Sequence, residues 1–100
     1  MNDRIAVQVT HNEAARRFEA TVDGRLARCD YRRVGNTMQI HHTEVPVELE
    51  GRGIAGQLVA AALAWARAQG LAVAPYCSYV RSYMQRHPES KDLLAPGMAL

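Results

Sequence analysis

The sequence predicts an α+β fold, a mixed α/β sheet built from a four-stranded antiparallel meander, a crossover helix, a parallel fifth strand and a C-terminal helix. Three observations carry this expectation. Up to Val45, apolar residues recur at every second position, in runs broken at Asp23-Gly24 and Gly35-Asn36, which are hairpin dipeptides. After Gly51 the apolar period lengthens to that of a helix. A short apolar run, Leu71 to Ala74, then closes at Pro75 and is followed by a second amphipathic stretch.

The elements follow in order. Ile5, Val7 and Val9 alternate with Ala6 and Gln8 as a first half-buried strand, and His11-Asn12-Glu13 is the expected first turn. Phe18, Ala20 and Val22 make the second strand. Residues 25 to 34 make the third, and Thr37 to about Val45 the fourth, with Met38 and Ile40 on one face and Gln39 and His41 on the other. Strict alternation places His42 and Glu44 on the face of Met38 and Ile40. Ile54, Leu58, Ala62 and Trp65, flanked by Val59, Leu63 and Ala66, give a mostly covered helix. Gly70 stands where a C-terminal capping glycine belongs. Strand, covered helix and strand in succession imply a right-handed crossover, with the last strand parallel to the fourth. Ser78 is the expected cap of a second helix ending at His87-Pro88; a short helical turn follows around Glu89 to Leu94, and the end of the chain reads as a frayed tail.

One hundred residues accommodate one core, so a single domain over 1–95 with a tail over 96–100 is expected. Apolar residues at 48% and charged residues at 22% are ordinary for a globular protein. A net charge of +2 with scattered arginines argues against a nucleic-acid partner, and the first half lacks the aromatic-rich sheet face of an RNA-binding α+β domain. No apolar run approaches the roughly 20 residues that span a bilayer, and no signal-peptide core is present at the amino terminus. Cys29 and Cys77 form neither a disulfide framework nor, with His, a zinc-finger spacing, so free thiols and a cytoplasmic location are expected.

The stretch Val45 to Leu58 organises the chain. Gly51, Gly53 and Gly56 fall within six residues, at the junction of the fourth strand and the long helix. Glycines here let the backbone turn sharply and let a ligand approach main-chain N–H groups. The first turn of a helix leaves such groups unpaired, and Arg52 adds a positive charge. A phosphate-bearing ligand fits this arrangement; a plain strand-to-helix turn fits it as well. There is no Gly-Lys-Ser/Thr ending of a P-loop, and no long βαβ array of a dinucleotide fold.

The combination of His42-Thr43-Glu44-Val45-Pro46, Gly51-Arg52-Gly53-Ile54-Ala55, Cys77 with Tyr79 and Tyr83, and His87-Pro88 resembles the GNAT superfamily of acetyl-CoA-dependent N-acetyltransferases, most closely its small N-acetyltransferase-like domain proteins. The resemblance spans roughly residues 37 to 95. It implies that acetyl-CoA is the cofactor and that coenzyme A pyrophosphate lies on Gly51, Arg52, Gly53, Ile54, Ala55 and Gly56. It implies too that the fourth and fifth strands splay beyond Pro46, and that pantetheine pairs with an edge near Val45 and Val47. Glu50 departs from the superfamily pattern, where Gln or Arg is usual. The acceptor would be an amine, on a small molecule or a protein. The rival reading from another class is a coenzyme A-binding sensor or partner module without turnover.

Acetyl transfer needs a neutral amine, yet a lysine amine of pKa about 10.4 is only about 0.04% neutral at pH 7, a deficit of roughly 4.6 kcal/mol. A general base supplies the difference. His42 and Glu44 are the candidates, with His41 on the other face; a core-edge His42 bonded to Glu44 is the alternative. Cys77, at the end of the last strand, stands where ligands of α/β sheets bind, as a nucleophile or as a small buried hydrophobe. The resemblance gives Tyr83 the role of protonating the departing thiolate, whereas Tyr79 and Tyr83 at i, i+4 also make an ordinary packing pair. Cys29 reads as core.

Overall fold

The computed structural model describes residues 4–100; residues 1–3, which the expected domain span includes, lie outside the described range. The strands are β1 (Thr10–Asn12), β2 (Arg17–Val22), β3 (Arg25–Val34), β4 (Thr37–Glu44) and β5 (Ala72–Pro75). The helices are α1 (Ile54–Gln69) and α2 (Ser78–Arg86), with 3₁₀ turns at Val47–Leu49 and Pro88–Leu93. The five strands form one sheet in sequence order, antiparallel through β4 and parallel between β4 and β5. The mixed sheet and its parallel fifth strand are those the sequence predicts.

One face of the sheet is covered and the other is open. Phe18, Ala20, Ala27, Cys29, Tyr31, Met38 and Ile40 are buried on the covered face against Leu58, Val59, Ala62 and Ala66 of α1 and Val80 and Met84 of α2. Each large apolar side chain so buried stabilises the fold by roughly 1.5–3 kcal/mol relative to exposure. Helix α1 ends as the sequence indicates. Gly70 takes φ 69°, its N–H donates to Arg67 C=O at 3.2 Å, and Leu71 N–H donates to Ala66 C=O at 2.8 Å. These two bonds satisfy carbonyls that the last turn leaves orphaned. At the β2–β3 hairpin Asp23 and Gly24 both have positive φ, 52° and 74°.

The first strand is displaced from its expected place. Ile5, Val7 and Val9 are half-buried and their neighbours exposed, as alternation predicts, but regular pairing begins only at Thr10. The earlier segment bonds to the glycine loop and to α1 instead. Ile5 N–H donates to Arg52 C=O at 3.1 Å, Val7 N–H to Gln57 Oε1 at 3.0 Å, and Gln57 Nε2 to Ile5 C=O at 2.6 Å. One side-chain amide thus stands in for a strand partner. His11 and Asn12, read as the first turn, belong to β1, and the turn falls on residues 13–16.

A second correction bears on function. Tyr31 pairs with Ile40 while Asp30 pairs with His42, so His41 is an extra residue in β4, a β-bulge. The bulge reverses the facing of everything after it. Thr43 now joins Cys29 on the covered face, and His42 and Glu44 turn to the open face beside Arg28 and Asp30. They do not share the face of Met38 and Ile40. The β4–β5 ladder also ends early, at Ile40–Pro75, with Tyr76 N–H donating to Ile40 C=O at 2.9 Å. The separation expected beyond Pro46 therefore begins at the bulge, which leaves residues 42–44 without a strand partner on that side.

At the chain end, Ala95 N–H donates to Val73 C=O at 2.8 Å and Leu100 packs half-buried against the core. The expected tail is tied to the body at both points.

Candidate functional site

Pro46 ends the extended chain, and Val47–Leu49 winds into a 3₁₀ turn that drives Leu49 into the core. Gly51 and Gly53 then take φ 81° and 80°, and Gly53 caps α1 without any side-chain bond. Those dihedrals suit glycine because Cβ disfavours the left-handed region. The first-turn N–H groups of Ile54, Ala55 and Gly56 have no intrahelical acceptor. They open on a cavity of about 200 Å³ that Val45, Gly51, Gly53, Ile54, Ala55 and Gly56 help to line.

Two of the expected loop residues lie elsewhere. Val47 is not part of a strand edge: it begins the 3₁₀ turn, is 73% exposed, and its C=O accepts Glu50 N–H at 3.3 Å. Proline at 46 and the turn it caps take the chain out of the extended conformation that edge pairing needs. Arg52 is absent from the cavity wall, and its C=O is held by Ile5 N–H at 3.1 Å.

Three residues enter the site that the sequence did not single out for it. Leu49 and Tyr79 line the cavity beside Glu50. Arg4 lies over Gly53, its Nη1 only 2.8 Å from where a Cβ on Gly53 would sit. Arg4 thus brings a guanidinium to the same loop that carries the Glu50 carboxylate. The signal for Tyr79 was its i, i+4 spacing from Tyr83; for Arg4 there was none, because its place depends on Gln57 fifty-three positions away.

His42 Nε2 lies 3.2 Å from Glu44 Oε1, and Arg28 Nη2 lies 3.7 Å from Glu44 Oε2 while also pairing with Asp30. The hydrogen bond from His42, followed by the Arg28 charge, holds the Glu44 carboxyl below the usual carboxylate range. Glu44 therefore stays ionised at neutral pH and is a weak proton acceptor, suited to orienting His42. Both side chains are about half exposed, at 47% and 55%, so their attraction is screened by solvent.

Cys77 is the N-cap residue of α2, in the place expected of Ser78, which is exposed. No side-chain bond caps the helix. The half-buried Cys77 thiol donates to Thr43 Oγ1 at 3.6 Å, and the Thr43 hydroxyl donates to Cys29 Sγ at 3.9 Å. Burial pushes the Cys29 thiol up to about 12, making it inert core as expected.

Tyr83 stacks on His87, with ring centroids 4.1 Å apart and planes 22° from parallel. It lines a separate groove between α1 and the Pro88–Leu93 turn. Burial first, then Glu89 and Tyr79, raise its phenol above the ordinary value. The expected catalytic residues thus fall into three places. Cys77 lies with Thr43 on the covered face, His42 and Glu44 lie on the open face, and Tyr83 lies with His87.

The sequence profile described as GCN5-related N-acetyl-transferase matches residues 17–93, most of the chain. This chain belongs to that family. Protein NATD1 of Xenopus tropicalis is 32% identical over 91 residues, covering 88% of this chain and 84% of that protein. Protein NATD1 of Gallus gallus is 34% identical over 85 residues, covering 82% and 77%. Human Protein NATD1 is 33% identical over 85 residues, covering 82% and 75%. A GCN5-like protein from Staphylococcus aureus, solved by NMR in solution, superposes with a TM-score of 0.72 at 26% identity, covering 99% of this chain and 94% of that one. As a member of the GCN5-related family, the chain has the fold that its motifs resemble.

Proposed function

We propose that this chain is an acetyl-CoA-dependent N-acetyltransferase acting on an amine. The observation that most supports this is the cavity at the N-terminus of α1. There, unpaired N–H groups of residues 54–56 and two left-handed glycines face a space continuous with Val45, just beyond the unpaired end of β4. Donors without acceptors at a helix N-terminus suit a pyrophosphate. The free edge of β4 suits the extended amides of pantetheine.

When bound, an acetyl thioester would supply the acyl group. The chain's own residues would do the rest. Ile54, Ala55 and Gly56 would hold the phosphates. His42, oriented by ionised Glu44, would accept the ammonium proton of the acceptor on the ring nitrogen that Glu44 does not engage. Cys77, the less buried of the two thiols, would lie at the unpaired end of the strands. The second reading, a coenzyme A-binding module without turnover, draws support from the sheet that separates His42 from Cys77.

Calorimetric titration with acetyl-CoA and dephospho-coenzyme A, paired with a free-thiol release assay over lysine peptides and small amines, tests both. Saturable binding and thiol release are expected. His42→Gln should lower turnover roughly 100-fold or more with affinity retained. No heat and no thermal shift at millimolar ligand would remove the coenzyme, and binding without turnover would favour the module.

A further inference from the structure

We propose that Tyr79, not Tyr83, is the tyrosine of the coenzyme site, and that its hydroxyl holds a phosphate of the ligand together with the first turn of α1. This inference rests on the coenzyme reading above and adds to it a residue from a different element. Tyr79 lies in the first turn of α2 and lines the cavity opposite the glycines. Its hydroxyl oxygen is 3.5 Å from the position a Cβ on Gly56 would take, beside the unpaired N–H groups of residues 54–56. Among the described residues the hydroxyl makes no hydrogen bond.

A phenol O–H is a donor, and donors aimed at one space with no acceptor select an anion. Charge-assisted bonds to phosphate oxygens are roughly twice as strong as neutral ones, so a single added donor has a measurable effect. The sheet and α1 alone do not settle which tyrosine this is. The ring of Tyr83 comes within 4.0 Å of the same Gly56 position, but it is stacked on His87 and lines the other groove. Tyr79 also lies two residues after Cys77 in the same turn. A phosphate bridging α1 to Tyr79 would therefore hold that turn, and the Cys77 thiol with it, against β4. Tyr79 acts here as a ligand-binding residue, and the prediction concerns binding before turnover.

The test compares Tyr79→Phe and Tyr83→Phe with the wild type by calorimetry. The probes are acetyl-CoA, dephospho-coenzyme A and inorganic pyrophosphate. Each substitution removes one oxygen and leaves the ring to pack. Tyr79→Phe should weaken all three probes by a similar factor, roughly tenfold or more, because the lost contact is to the pyrophosphate they share. Tyr83→Phe should bind all three as the wild type does. Wild-type affinity in Tyr79→Phe overturns the proposal. So does unchanged affinity with slowed turnover, which would put the hydroxyl at the sulfur. Equal weakening by Tyr83→Phe overturns the choice between the two rings. A wild type that binds none of the probes overturns the coenzyme reading itself, which is a different result from any of these.

Discussion

The two ends of helix α1 are built on opposite terms. At its C-terminal end polar groups find partners. Gly70 and Leu71 close the last turn, and Arg67 grips both oxygens of Asp92 at 2.7 and 2.9 Å. Trp65 joins a ring cluster in which His11 stacks on Phe18 at 4.1 Å and meets the Tyr31 hydroxyl at 2.6 Å. At the N-terminal end the cap has no side chain, two glycines are left-handed, and N–H groups and a hydroxyl face an open cavity. One end is where the fold is held and the other is where it stays available to a ligand, since donors satisfied internally could not serve an anion.

The comparison can be broken first at the ring cluster. Phe18→Ala should destabilise by roughly 3–5 kcal/mol, read as a shift in the urea midpoint. The fraction that remains folded should bind acetyl-CoA as the wild type does; parallel loss of affinity would show that the two ends are not separable. Gly53→Val inverts the experiment. The left-handed φ of 80° costs an L-residue about 1–2 kcal/mol, and a side chain there also meets Arg4. A modest fall in melting temperature with a large loss of acetyl-CoA affinity is expected, and full affinity in a folded variant would reduce the loop to a turn.

A finer probe is pH. Burial lowers the His11 pKa below its ordinary 6.5, outweighing the opposing pull of Glu13. The folded state then binds fewer protons than the unfolded one between the two values, so this group's contribution is whole above about pH 6.5 and lost as pH falls below it. Stability of His11→Phe should vary less with pH between 7 and 5 than that of the wild type, measured by denaturant midpoints. The smallest effect is chemical: iodoacetamide should modify Cys77 in the native protein and reach Cys29 only after unfolding, as counted by intact mass. Native labelling of Cys29 would mean that the covered face opens readily.

Much of this was legible in the sequence, because it depends on local chemistry. Asp23-Gly24 specified its turn, Gly70 specified the end of α1, and the change of period at Gly51 located the strand-to-helix junction. What escaped depends on residues distant in the chain. Gln57 captures the segment at Ile5 and Val7, which moves β1 to Thr10. The bulge at His41 leaves no trace in an alternation that looks regular on both sides of it. Since facing is counted by twos, that single residue was enough to misplace His42, Glu44 and Thr43 together. In the cavity the glycines were readable from spacing. Tyr79 and Arg4 were not, because they arrive there from two other segments, and Leu49 enters only through the 3₁₀ turn that precedes the loop.

The bulge makes the site a matter of parity. Keeping every residue but pairing β4 with β3 one to one would set His41 opposite Asp30, His42 opposite Cys29 and Thr43 opposite Arg28. His42 would then point under the helices, where an ionisable ring would have to be desolvated. Thr43 would leave Cys77 and face solvent. A slip of one residue would therefore exchange the inside and outside of the strand's last segment. Deleting His41 has the opposite outcome: the pairs on either side close up, Thr43 stays inside, His42 and Glu44 stay outside, and only the kink is lost. His41 is the spare link that lets a regular-looking alternation change hands.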